Sequence, residues 1–345
     1  MPAVTLSVVV PIFNEVATVR ELYARLTAAV SPLGAYELVF VDDGSSDGSW
    51  QLLSEFAAGD PHVRIVRLSR NFGHQIALTA GIDAARGEAI VMIDGDLQDP
   101  PEVIPELVKR WREGYDVVYG VRTVREGETR YKRWTARLFY RLIKAMSPVE
   151  IAQEAGDFRL LSRRAADAFR AMPERSRFIR GMTSWVGFAQ IGVPYQREPR
   201  FAGSTKYPTR RMLGFAADAI TSFSTAPLRL VAGIGFALVG FCALYLAYAL
   251  YKRFFTDDTV QGWTTVIVLV LLIGGAQLIG LGVIGQYVGR TYEEAKRRPL
   301  YLVSEIVGAE SELRSVDDAG PAPIRTGLHD EEADGGDPTS SWSSQ

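Results

Sequence analysis

Two uncharged apolar runs restrict this chain more than any other feature. Residues 231–251 form 21 consecutive positions without a charged side chain, and residues 264–289 form 26. At a helical rise of about 1.5 Å per residue, either is long enough to cross a hydrocarbon core of about 30 Å. Two such runs in close succession are rare inside globular domains, so the sequence predicts two membrane spans within a membrane domain over 226–298. Arg210, Arg211 and Arg229 precede the first run, and Arg290, Lys296, Arg297 and Arg298 follow the second. Lys252 and Arg253 lie on the short connection. The outer flanks carry more positive charge than that connection, which predicts both ends on the cytoplasmic side of a cell membrane.

The residues before the spans follow a different pattern. LSVVVPI (6–12), ELVFV (37–41) and runs at 63–68, 89–93 and 116–119 read as short strands, with helical patterns at Val16–Val30 and 50–58 between them. Strands alternating with helices predict an α/β domain over 1–225, with a mostly parallel sheet covered on both faces. No basic stretch followed by an apolar one precedes the first strand, so no cleaved signal and a cytoplasmic N-terminal domain are expected. Residues 131–144 (YKRWTARLFYRLIK) and 212–223 are amphipathic, suited to the headgroup layer or to packing on the sheet. Residues 305–345 carry ten acidic and two basic side chains with Pro, Gly and Ser, and predict a disordered acidic tail.

Composition removes several function classes. A net charge of −2, from 38 basic and 40 acidic residues, argues against nucleic acid as a partner. The single cysteine, Cys242, lies in an apolar run and has no second cysteine for a disulfide or a thiolate metal site. Three scattered histidines argue against zinc.

The chemistry-bearing residues follow the strands, and in sheets of this type ligands bind beyond the carboxyl ends. The first strand runs into Phe13, Asn14 and Glu15, with no Gly-x-Gly-x-x-Gly after it, so the dinucleotide fingerprint is absent. Asn14 and Glu15 also suit a helix cap. The second strand ends in VDDGSSDGS (41–49), whose carboxylates can accept from a nucleobase or ribose, although an Asp/Ser/Gly stretch is also an ordinary turn. The fourth ends in IDGDLQDPPE (93–102). Asp94 and Asp96, two residues apart, would repel one another, and a divalent cation relieves that repulsion while bridging a diphosphate. Carboxylate oxygens with the Gln98 amide oxygen suit Mg²⁺ or Mn²⁺. Gly95 between them leaves room for a ligand. In RFAGSTKY (200–207), Arg200 and Lys206 flank Gly and hydroxyls, an arrangement able to hold phosphate oxygens or to form a plain basic loop.

The ordered series VVVPIFNE (8–15), VDDGSSDGS (41–49), RNFGHQIALTAGIDAARG (70–87), IDGDLQDPPE (93–102), GDFRLLSR (156–163) and RFAGSTKY (200–207) resembles glycosyltransferase family 2, and within it the polyprenyl-phosphate sugar transferases. The resemblance spans the α/β domain and extends to the paired C-terminal spans. It implies a GT-A, Rossmann-like catalytic domain followed by two transmembrane helices. It also implies inverting transfer of one sugar from a UDP- or GDP-linked donor to a polyprenyl phosphate. By the same resemblance, Pro11, Phe13, Glu15, Val41 and Asp43 hold the donor nucleoside. Asp94, Gly95 and Asp96 lie at its diphosphate, with Asp96 the principal metal ligand beside Asp94 and Gln98. Arg122, Arg200 and Lys206 contact phosphate, and Asp157 lies near the reacting sugar. The family often has alanine between the two aspartates, so Gly95 is a small departure. The family's partners are then the nucleotide-sugar, the polyprenyl phosphate and the lipid bilayer, and a homo-oligomer is permitted. Two alternatives are a catalytically inactive scaffold of a lipid-sugar pathway and another family 2 membrane glycan synthase. The intact Asp94, Asp96, Asp157, Arg200 and Lys206 set argues against the first, and the lack of Gln-x-x-Arg-Trp against the processive form of the second.

Overall fold

The computed structural model describes residues 5–123, 155–198, 226–255 and 262–308. The amphipathic stretches 131–144 and 212–223, and with them Arg200 and Lys206, lie outside the described residues. Strands β1 (Leu6–Ile12), β2 (Tyr36–Asp42), β3 (Val63–Leu68) and β4 (Ala89–Met92) are linked by helices α1 (Val16–Val30), α2 (Ser49–Gly59) and α3 (His74–Ala84). Helix α4 (Ile104–Arg112) leads to β5 (Val117–Arg122), and β6 (Ala155–Ser162) is followed by α5 (Arg163–Arg170), α6 (Ile179–Trp185) and β7 (Gln190–Tyr195). Two long helices, α7 (Ala226–Phe255) and α8 (Trp263–Ala295), precede a last strand, β8 (Val303–Gly308).

The eight strands form one mixed sheet in the order β7-β5-β6-β4-β1-β2-β3-β8. Strands β4, β1, β2 and β3 run parallel, and β6 joins β4 antiparallel. All seven residues of β1 are buried because helices cover both faces of the sheet. Val8, Val10 and Ile12 pack on one face with Val19, Leu22 and Leu107. Val9 packs on the other with Leu78, Ile82 and Phe169. This alternation follows from the period of two along a strand. Helix α3 comes close to the sheet because position 81 is glycine: a Cβ there would overlap Val9 and reach Val41 at 3.0 Å. That close contact delivers the start of α3 to the carboxyl edge of β1 and β2.

The chain order turns back at β1, which has β2 on one side and β4 on the other, so a crevice opens beyond its carboxyl end. Helices α7 and α8 leave large apolar side chains exposed, among them Phe236 at 79%, Leu244 at 74% and Leu278 at 72%. Their apolar segments Leu228–Lys252 and Leu272–Ala295 are long and apolar enough to cross a membrane. Strand β8 differs from the expectation that the tail begins at 305. Residues 303–308 pair antiparallel with β3, and Val303 and Val307 pack on opposite faces of the sheet. The acidic average of the tail hides this short alternating segment.

Candidate active site

Strand register brings two carboxylates together. Met92 of β4 pairs with Arg159 of β6, and continuing that antiparallel register sets residue 94 opposite residue 157. His74, the first residue of α3, places Nε2 3.4 Å from Asp94 Oδ1 and 3.4 Å from Asp157 Oδ2. From α6, Arg180 Nε donates to Asp157 Oδ1 at 2.8 Å, and its Nη2 lies 3.4 Å from Oδ2. Gln75 donates to Asp157 Oδ2 at 3.1 Å and accepts from the Ile179 amide at 2.9 Å, joining the starts of α3 and α6. Beneath them, the buried Arg159 donates to the Gly156 carbonyl at 2.7 Å and to Thr183 Oγ1.

The charges reinforce one another. Burial alone would raise the Asp157 carboxyl, but His74 and Arg180 hold it well below the usual carboxylate range. Desolvation opposes the His74 imidazolium, yet its contacts with Asp157 and Asp94 raise it to about 9. Burial pushes Asp94 up to about 6, against His74 and with the help of Asp157, Asp99 and Asp96. The rise is first the cost of burying an ionised carboxyl, and an excess of negative charge from the neighbouring carboxylates adds to it.

A divalent cation suits that excess. Asp94 Oδ1 is buried and, among the described residues, accepts no hydrogen bond, with the His74 ring nitrogen at 3.4 Å as its cation. Ligand atoms of His74, Asp94 and Asp157 lie within 4.8 Å of one another, and His74 would ligate only after losing the proton that these carboxylates favour. The sequence pointed instead to Asp94, Asp96 and Gln98. These share one turn, in which Asp96 Oδ1 accepts from the Gln98 amide at 3.1 Å. Leu97, between them, takes a left-handed φ of 58°. Gly95 is also needed by its own chain: a Cβ there would meet Ile12 Cδ1 at 2.8 Å and the Pro11 carbonyl at 3.0 Å.

The expected donor residues line the same edge. Pro11 and Val41 are neighbours in the β1–β2 ladder, Phe13 is exposed just beyond β1, and Glu15 opens α1. Asp43 accepts from the amides of Phe72 at 2.7 Å and Gly73 at 2.9 Å, so it orders the loop that carries His74. Its carboxylate retains further lone pairs for a ligand. Much of the VDDGSSDGS stretch is scaffold: Asp47 accepts from the Val16 amide at 3.0 Å and from Ser49 Oγ at 2.6 Å, tying together the starts of α1 and α2.

Arg122 is held by a cluster that the sequence did not reveal. Its Nε donates to Tyr195 Oη at 3.1 Å, Tyr195 donates to the buried Asp99 at 2.5 Å, and Arg122 Nη2 lies 3.6 Å from Asp99 Oδ2. The guanidinium lies against Gly156, where a Cβ would meet Nη2 at 2.6 Å. Arg122 thus lies against β6 on the face of Gly156, and by strand alternation the Asp157 side chain that Arg180 holds from α6 is on the opposite face. His74 and Asp99 fell within quoted motifs without any distinguishing signal. Arg180 and Tyr195 are brought in by tertiary structure alone.

A glycosyl transferase family 2 model matches residues 7–170, from β1 through α5. An uncharacterized glycosyltransferase of Bacillus subtilis, YkcC, is 50% identical over 306 residues, covering 88% of this chain and 95% of that one. The bactoprenol glucosyl transferase of Shigella phage SfV is 40% identical over 300 residues, covering 86% of this chain and 97% of that one. Among solved structures, mannosyl-3-phosphoglycerate synthase from Rubrobacter xylanophilus is similar with a TM-score of 0.45 and 18% identity, covering 67% of this chain and 75% of that one. The fold is the mostly parallel mixed sheet of a GT-A-like glycosyltransferase. The chain belongs to glycosyltransferase family 2.

Proposed function

We propose that this protein transfers one sugar, with inversion, from a UDP- or GDP-linked donor to a polyprenyl phosphate. The reaction takes place at the cytoplasmic face of the cell membrane, and its product serves cell-envelope glycosylation. The observation that carries this reading is the 40% identity to a bactoprenol glucosyl transferase, which extends over 97% of that protein. In the test, purified full-length protein receives a polyprenyl monophosphate, Mg²⁺ or Mn²⁺, and a panel of nucleotide-sugars, and the lipid is analysed by mass. One donor should add one hexose-sized unit to the lipid; an unmodified lipid with every donor would refute the reading.

In the proposed reaction the donor nucleoside lies against Pro11, Phe13, Glu15, Val41 and Asp43, with its diphosphate beside Asp94, Gly95 and Asp96. Asp94, Asp96 and Gln98 would hold a divalent ion, which when bound neutralises the diphosphate as a leaving group. An acceptor phosphate oxygen forms a bond to the anomeric carbon as the bond to the diphosphate breaks, releasing the nucleoside diphosphate. A phosphate monoester has a second pKa near ~6 and is mostly a dianion at neutral pH, so it needs no base. Asp157 suits positioning instead, because both its oxygens are engaged by Arg180, His74 and Gln75. Arg122 supplies positive field at the meeting of two anionic substrates, with Arg200 and Lys206 assigned the same role by family resemblance. Anchoring by α7 and α8 would confine the enzyme to the surface where its acceptor resides, raising effective concentration.

The anchoring has its own consequence. Reporters fused after Tyr251 and after Arg298 should report opposite sides of the membrane, with the second cytoplasmic. Finding both on one side would refute two spans.

A further inference from the structure

Arg180 is a strong cation in the site to which the proposed reaction gives no substrate. It spends one edge of its guanidinium on Asp157, at 2.8 and 3.4 Å, and its side chain is 35% exposed. A guanidinium carries five N–H donors in a planar fork, so one carboxylate does not exhaust it. Arg122 lies against Gly156, the residue before Asp157, so two guanidiniums flank one short stretch of β6.

The attachment of α6 gives Arg180 a direction. Five positions before it, the Arg175 amide donates to Glu294 Oε1 at 2.8 Å, and the Arg175 guanidinium donates to the Arg298 carbonyl. Glu294 is in the last turn of α8, and Arg298 follows that helix. Just beyond, Tyr301 donates to Asp83 of α3 at 2.8 Å, so the helix that begins with His74 is tied to the same segment. The loop that leads into α6, five residues before Arg180, is therefore docked on the end of α8, whose apolar segment is long enough to cross a membrane, close to where a lipid headgroup would leave the bilayer.

We propose that Arg180 binds the phosphate of the lipid acceptor and that Asp157 serves to aim it. This rests on the reading that the acceptor is a polyprenyl phosphate. The dianion takes the guanidinium donors that Asp157 leaves open, while the donor diphosphate stays at Asp94 and Asp96. No bond is made or broken by Arg180.

The test uses full-length protein in lipid nanodiscs, a short-chain polyprenyl monophosphate, and the active donor. Charge-assisted hydrogen bonds contribute about 1.5–3 kcal/mol, so Arg180→Ala should raise the acceptor KM by about 10- to 150-fold. Affinity for the nucleoside diphosphate, measured by calorimetry, should change less than about twofold, which also shows that the variant is folded. Arg180→Lys should recover part of the acceptor KM. Arg180→Ala made in an Asp157→Asn background should still raise that KM, whereas a residue acting only through Asp157 would add nothing there. A fall in kcat with unchanged acceptor KM, or an equal loss of nucleotide affinity, overturns the proposal. Failure of the wild-type protein to glycosylate the monophosphate overturns the reading beneath it, and is seen before any variant is made.

Discussion

Replacing Asp96 by alanine should lower sugar transfer by about 10³-fold, and removing divalent ions from the wild-type protein should do the same. Asp94, Asp96, Asp99 and Asp157 place four carboxylates around one strand end, and burial with this crowding lifts Asp94 to about 6. In the proposed reaction a diphosphate joins them, a congestion of negative charge that His74, Arg122 and Arg180 do not fully match. Lewis-acid stabilisation by a bound metal is worth several kcal/mol, which sets the expected loss at about three powers of ten. Asp94→Ala should also weaken transfer, since its buried Oδ1 accepts no hydrogen bond among the described residues that could replace a metal. Gln98→Ala should cost least, because the contact by which Gln98 supports Asp96 comes from its backbone amide. Binding of Mn²⁺ with nucleoside diphosphate, followed by electron paramagnetic resonance, separates lost metal from lost chemistry. Full activity of Asp96→Ala in the presence of chelator would exclude metal catalysis at this site.

Asp157→Asn should lose about 10²-fold in turnover, yet keep the acidic limb of the kcat/KM profile. A general base would also lose about 10²–10⁴-fold, so rate alone does not distinguish the roles. The pH profile does. Because the folded pKa of Asp157 is depressed by His74 and Arg180, its ion pairs are intact above the ordinary carboxylate pKa. They are lost only as pH falls through the lower, folded value. Asp157 is therefore ionised throughout an assay between about pH 5 and 9, as the ordinary carboxylate pKa of ~3.9 already places it below that window. An acidic limb near ~6 belongs to the acceptor phosphate. Burial and the neighbouring carboxylates raise Asp94 to about 6, so the measurement is made at saturating Mg²⁺ or Mn²⁺. A phosphonate acceptor with a higher second pKa should then move the limb upward. If the limb disappears in Asp157→Asn while nucleotide binding is intact, Asp157 is the titrating base and the positioning role is wrong.

Arg200→Ala should harm turnover at least as much as Asp157→Asn if phosphate handling, and not deprotonation, governs the step. The same assay compares the two variants directly.

What the sequence showed depended on how local each feature is. Strands β1 and β2 were readable because LSVVVPI and ELVFV are short, mostly apolar and β-branched runs buried on both faces, with Ser7 and Glu37 as their polar members. Helix α1 was readable from apolar spacing, and Val19, Leu22 and Leu26 do face the core. The acidic turn after β4 was legible because paired aspartates at a strand end need a physical reason. Helix α6 was not, since seven residues give too short a period to detect. Its Arg180 meets Asp157 only through the packing of α6 on β6, an interaction with no trace in local pattern. His74 had a motif around it but no signal of its own until β4 and β6 brought two carboxylates to it. Strand β8 was hidden by averaging over an acidic tail, although residues 303–308 complete the sheet beside β3. Gly95 carries a second constraint that no local pattern shows: a side chain there would meet Pro11 and Ile12.

The central claim is that the bond formed joins an anomeric carbon to a lipid phosphate oxygen with inversion. Phosphorus and proton magnetic resonance of one reaction, containing purified protein, metal, active nucleotide-sugar and polyprenyl monophosphate, observe both parts. The acceptor phosphorus signal should change from monoester to diester in step with donor consumption, and the new anomeric proton should couple to it with the configuration opposite to that of the donor. Donor consumption with an unchanged monoester signal, or a product of retained configuration, would contradict the account.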